Sequence, residues 1–144
     1  MPVGVGKHVN KNSKIMSKEK VIDNLERFDY SHSAHGDILK INLEYSLEVI
    51  IDFSEQDKIK IKDHLAGWNF LTGMIKMSIK SAMLYNFIGS LVATILFLYL
   101  DSQIEQINLM IIYLFVISWI LSWTTFYVIK TESFKRQVID WTKK

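Results

Sequence analysis

His32-x-x-His35-x-Asp37 gathers three side chains that can ligate zinc within six residues, and His64 could add a fourth from across a sheet. Such a site would hold a cation at the mouth of a loop. The spacing matches no strong zinc signature, and histidine pairs in loops are ordinarily solvated, so no metal is expected. Other chemistry fares no better. The chain has no cysteine, which removes thiolate ligands, disulfides and thiol nucleophiles. No serine or threonine sits in a glycine-flanked nucleophile elbow, and no glycine-rich loop could cradle a phosphate. The acid pairs Asp52/Glu55 and Asp57/Asp63 fall near turns, where solvated charge is the ordinary role. Trp68, Phe70, Met74 and Met77 cluster as core or membrane-facing residues rather than as a ligand cage. The expectation is a protein with no catalytic residue and no cofactor, and so not an enzyme.

The elements around these residues say more. All 17 lysines and arginines lie outside residues 81–129. That gap holds two apolar runs, 82–100 and 107–129, separated by Asp101-Ser-Gln-Ile-Glu-Gln106. Each run is long enough to cross a bilayer core of about 30 Å as a helix. The linker is too short for a domain, so the runs predict a transmembrane helical hairpin. No ionisable side chain lies inside either run, which argues against a transporter or a charged pore.

Lysine and arginine near helix ends set orientation. Lys76 and Lys80 precede the first span, Lys130, Lys135 and Arg136 follow the second, and the linker carries only Asp101 and Glu105. Both termini are therefore expected in the cytoplasm, with those five basic residues at the lipid headgroups. Lys58, Lys60 and Lys62 form a further basic row, ordinarily a solvated edge. Within the hairpin, small residues let helices approach. Counted from Ala82 and Ile129, Gly89 and Ser122 are both seven residues deep, and Ala93 and Ser118 both eleven. Asn86 and Thr125 are both four deep, which predicts an Asn86–Thr125 hydrogen bond. Ser90 and Thr94 repeat the four-residue spacing on the first span.

Ahead of the hairpin, residues 1–16 read as a basic tail without the apolar segment of a secretory signal, and Met16 could itself be the start. Residues 1–80 together carry 12 basic and 11 acidic side chains, too balanced for nucleic-acid binding. Ser17 caps a predicted helix to Phe28, with Val21, Ile22, Leu25 and Phe28 on one face. Residues 29–37 read as a loop. From Leu39 to Phe53 every odd-numbered residue is apolar and nearly every even one polar, the period of a β-strand, with a bend expected near Ser46. Residues 54–57 form a turn and 58–62 a second arm. Residues 65–71 and 74–79 read as further strands about Thr72-Gly73, or else as a helix leading into the first span. Residues 130–144 form an amphipathic tail with Phe134, Val138 and Trp141 roughly on one face, which could continue the second span or turn into the headgroup region, and in either case touches the inner leaflet or the sheet.

The fold class expected is thus a membrane α-helical hairpin preceded by a small α+β cytoplasmic module with an antiparallel sheet. Its organisation is tail 1–16, module 17–80, hairpin 81–129 and tail 130–144. Usage of 20 isoleucines and 15 lysines against four alanines and two arginines fits an AT-rich bacterial genome, hence an inner membrane. The functional expectation is an accessory, regulatory or interaction protein that binds lipid and a protein partner or a second copy. A bilayer-perturbing effector or exclusion factor that oligomerises is the rival.

Overall fold

A computed structural model describes residues 11–55, 58–103 and 109–143, with side chains from Ile15 onward. Most of the basic tail, part of the 54–57 turn and half of the 101–106 linker lie outside these residues. Seven elements follow in order: α1 (Lys11–Arg27), β1 (His32–His35), β2 (Ile38–Asn42), β3 (Leu47–Asp52), β4 (Lys60–Leu65), α2 (Ile79–Asp101) and α3 (Leu109–Lys143). The strands make one antiparallel sheet in the order β1-β2-β3-β4.

The alternating segment is folded back on itself. β2 pairs with β3 through Ile41↔Val49 and Asn42↔Glu48. The reversal is therefore centred on Tyr45, and Tyr45 and Ser46 both adopt positive φ, 57° and 60°. A loop with an odd number of residues keeps odd positions on one face of both arms. Leu39, Ile41, Leu47, Val49, Ile51 and Phe53 are all buried, so the alternation survives the turn.

That face is covered by two helices. Val21 and Leu25 of α1 and Phe134, Val138 and Trp141 of α3 bury against Leu39, Ile41, Val49 and Ile51. Trp141 stacks on Phe28, and Tyr30 meets Phe134 edge-on. α1 begins at Lys11, upstream of Ser17, and ends in a hydrogen-bonded reversal: Asp29 takes φ 56° and Tyr30 N donates to Leu25 O at 2.9 Å. This is the left-handed helix stop more often filled by glycine.

Two sequence expectations change, and one open alternative closes. Residues 32–35, read as loop, form β1, paired with β2 across a turn in which Gly36 takes φ 56°. Residues 66–77 are neither strand nor helix but an irregular loop with two isolated bridges, Leu65↔Met77 and Asn69↔Gly73. Of the two courses open to residues 130–143, they take the first: they continue α3 and complete the core.

α2 and α3 are both long and apolar enough to cross a membrane. α3 has 35 residues, about 52 Å at 1.5 Å per residue. Its first part lies beside α2 and its last turns lie on the sheet.

Candidate functional site

The sheet meets the apolar helices at one junction, and charge holds one side of it. Asp63 lies on the core face of β4, opposite Val49. Its carboxylate accepts from Lys135 Nζ of α3 at 2.8 Å and from the Ile79 backbone N–H at the start of α2 at 2.8 Å. One side chain thus ties the sheet to both long helices. Ser78 assists by capping α2, its hydroxyl accepting from Ser81 N at 3.2 Å. Burial pushes the Asp63 carboxyl up. The Lys135 ammonium and the Ile79 N–H outweigh that and hold it below the ordinary carboxylate value. Burial likewise pulls Lys135 down, while hydrogen bonds to Asp63 and Glu132 leave it above the ordinary lysine value.

Aromatic packing and hydrogen bonds hold the other side. Buried Tyr127 donates its hydroxyl to Tyr45 O at 2.9 Å and accepts from Phe70 N at 3.4 Å. Phe70 stacks on Trp123, with centroids 4.0 Å apart and planes 9° apart, and meets Trp119 edge-on. The Tyr45 ring packs on Trp123 and Phe126. Ser46 Oγ donates to Trp68 O at 2.7 Å. The turn 45–46 contains no glycine or asparagine, and these contacts are what hold it in the left-handed region.

The loop 66–77 is knotted around Asn69. The Asn69 amide nitrogen donates to Gly73 O and Thr72 Oγ1, both at 3.0 Å, and its oxygen accepts from Leu71 N at 3.0 Å and Thr72 N at 2.8 Å. Asn69 and Gly73 also exchange backbone hydrogen bonds in both directions, with Gly73 at φ 67°. The Thr72 hydroxyl donates to Ile75 O at 2.8 Å.

The helix contact follows a different stripe from the one expected. The Asn86 amide donates to Leu71 O and Ala82 O, both at 3.0 Å, rather than to Thr125, which is exposed. A Cβ on Gly89 would meet nothing within 4 Å, and Ser118 and Ser122 are exposed, with Ala93 half-buried. Ala82, Asn86, Ser90, Thr94 and Phe97 form the shielded row of α2. The Thr94 and Tyr113 hydroxyls lie 2.8 Å apart, and Phe97 packs on Tyr113. Equal depth along two helices does not fix their rotation. The α2 rotation is fixed at its base, by buried Ala82 and by the Asn86 bond into the loop.

Of the five basic residues expected at headgroups, Lys130 pairs with Glu44 at 3.0 Å and Lys135 with Asp63. Lys76, Lys80 and Arg136 are exposed. His32 and His64 occupy opposite edges of the sheet, three strand intervals of about 4.8 Å apart. They also face opposite ways, His32 beside buried Ile41 and His64 beside Glu48. Among the described residues no three His, Asp or Glu side chains are gathered to hold a metal. An open groove of about 520 Å³ runs between Lys58, Ile59 and Ile61 on the β4 side and Arg136 and Ile139 on α3.

The sequence singled out Lys135 but not Asp63, which looked like one more turn acid. The available signal was its phase, because Asp63 interrupts the apolar face Ile59–Ile61–Leu65 and a charge there needs a partner. Together these contacts tie the sheet, the loop 66–77 and both long helices to one another. The chain matches no protein-family model, no curated protein and no solved structure.

Proposed function

We propose that the chain is a small integral membrane protein of the bacterial inner membrane, with α2 and α3 crossing the bilayer and both termini in the cytoplasm. The sheet module is held against the inner surface and acts by binding a protein partner, not by chemistry. One observation carries the reading: α3 is a single helix whose first part is an apolar span and whose last turns are the core of the module. A module built around the end of a spanning helix cannot swing freely as it would on a flexible linker. Its height and facing toward the bilayer are fixed, as an adaptor for another membrane-bound component requires. The charge-free interval 81–129, flanked by basic residues, supports the orientation.

The test has two parts. Ser102→Cys, in a chain otherwise free of cysteine, should react with an impermeant maleimide from the periplasmic side of intact cells, and the protein should resist alkaline extraction from membranes. Labelling from the cytoplasmic side alone overturns the orientation, and release by alkali overturns the membrane assignment. Purification in mild detergent should then retain a stoichiometric partner. Loss of membrane potential on expression would favour the effector reading instead.

A further inference from the structure

We propose that the loop 66–77 is itself a lipid-contacting element, set into the acyl–headgroup boundary of the inner leaflet beside α2 and α3. The inference rests on the membrane reading above and deepens it. No ionisable residue occurs between His64 and Lys76. Ahead of exposed Lys76, the large side chains this loop turns outward are apolar: Trp68 is 59% exposed, Met74 78% and Ile75 47%. Three large exposed apolar side chains within eight residues of a loop mark a surface that something covers.

Two observations identify lipid as the cover. The first is position. Phe70 lies against Trp123 and Trp119, which precede Lys130 by seven and eleven residues. At 1.5 Å per residue these are about 10 and 16 Å into the apolar part of α3. The loop also reaches Asn86, six residues beyond Lys80 on α2. It therefore overlaps the apolar segments of both helices by about two turns.

The second is hydrogen bonding. Irregular backbone is excluded from hydrocarbon because its amides and carbonyls go unpaired. Here Asn69 serves Leu71 N, Thr72 N and Gly73 O, Thr72 serves Ile75 O, Tyr127 serves Phe70 N and Asn86 serves Leu71 O. Such a loop can leave water without stranding these groups. Trp68 additionally suits the boundary, where an amphipathic ring is favoured.

The experiment uses the full chain in vesicles of phosphatidylethanolamine and phosphatidylglycerol. A single cysteine at Met74→Cys carries an environment-sensitive fluorophore, with Leu96→Cys on the exposed face of α2 and His35→Cys on the sheet as references. Met74 and Leu96 are highly exposed, so both substitutions leave the packing intact. The expected result is a blue-shifted Met74 probe, quenched by lipids bearing a nitroxide near the headgroup end of the acyl chain. Aqueous iodide should quench it several-fold less than the His35 probe. Iodide quenching equal to that at His35 overturns the proposal, provided the Leu96 probe is quenched by nitroxide lipid. A Met74 probe shielded from both quenchers also overturns it, because a protein or a second copy then covers the loop. If the Leu96 probe too escapes lipid quenching, the membrane reading falls and takes the loop proposal with it.

Discussion

Between residues 82 and 100 α2 buries Ala82 and no other side chain, whereas α3 buries Tyr127, Thr131, Phe134, Val138 and Trp141 along its second half. The most apolar stretches of the two helices are equally apolar, yet the helices are held in different ways. α2 enters through a capped N-terminus, Ser78 and the Asp63 carboxylate, and is otherwise packed only along the Asn86–Ser90–Thr94 row. α3 carries its hold into the sheet. Apolar length makes a span, but where a helix ends decides whether it is a tether or a strut.

The comparison breaks most sharply in the buried half of α3. Val138 is fully buried between α1 and the sheet. Val138→Asp should unfold the module at a cost of about 4 kcal/mol or more, since it buries a carboxylate in the apolar cluster of α1, α3 and the sheet. Loss of near-ultraviolet dichroism in detergent would report it. Leu96→Ala on exposed α2 should change the midpoint little. Equal effects at the two sites would remove the distinction between strut and tether.

Next in size is the continuity of α3 itself. Glu132 is exposed, so Glu132→Pro removes little packing but deletes one helix hydrogen bond and clashes with the preceding turn, at a cost of about 3 kcal/mol. Limited proteolysis should then cut near residue 132 while the spans stay intact. If the protease pattern is unchanged, the rigid link from bilayer to module is not what fixes the module.

The strut was half legible in the sequence. Phe134, Val138 and Trp141 share a helical face and are the residues buried, but nothing local says whether that face meets lipid or sheet. A break near Ser46 was legible from the length of the strand, but its being a full reversal was concealed for a definite reason. Its odd-numbered loop preserves the apolar phase, and Glu44-Tyr45-Ser46 carries no glycine, asparagine or proline to mark a turn. Tertiary contacts from Tyr127, Trp123 and Trp68 supply what local propensity lacks. β1 was missed because His32–His35 is an edge strand without an apolar row. The junction was the least legible part, since Asp63, Asn69 and Tyr127 act across separations that no short motif records.

Asp63 allows the two helices to be loosened together, by a smaller amount. Asp63→Asn keeps an acceptor for Ile79 N–H but leaves Lys135 without its counter-charge, and should lower stability by about 1.5–3 kcal/mol. The pH dependence follows from the two directions. Asp63 is depressed in the folded state, so its contribution is full above the unfolded value near 3.9 and fades as pH falls through the lower folded value. Lys135 is raised, so its contribution is full below about 10.4 and fades as pH rises through the higher folded value. Melting measured across pH should show both limbs in the parent and a flatter profile in Asp63→Asn. An unchanged profile in the variant would mean the ion pair contributes nothing to holding α2 and α3 on the sheet.

The smallest expected effect tests the outer face of α2. Gly89 sits in a helix interior with open space where a Cβ would stand. Gly89→Ala should therefore stabilise the protein by about 0.5–1 kcal/mol, through the freedom that glycine alone has in the unfolded chain. A methyl group there displaces only lipid if the chain acts singly. Should Gly89 instead meet a second copy of α2, the same methyl would press two backbones apart. Sedimentation in detergent would then show an oligomer weakened by the substitution, and a melting midpoint that falls rather than rises. The sign of one methyl group thus separates a helix bathed in lipid from one that packs on its own kind.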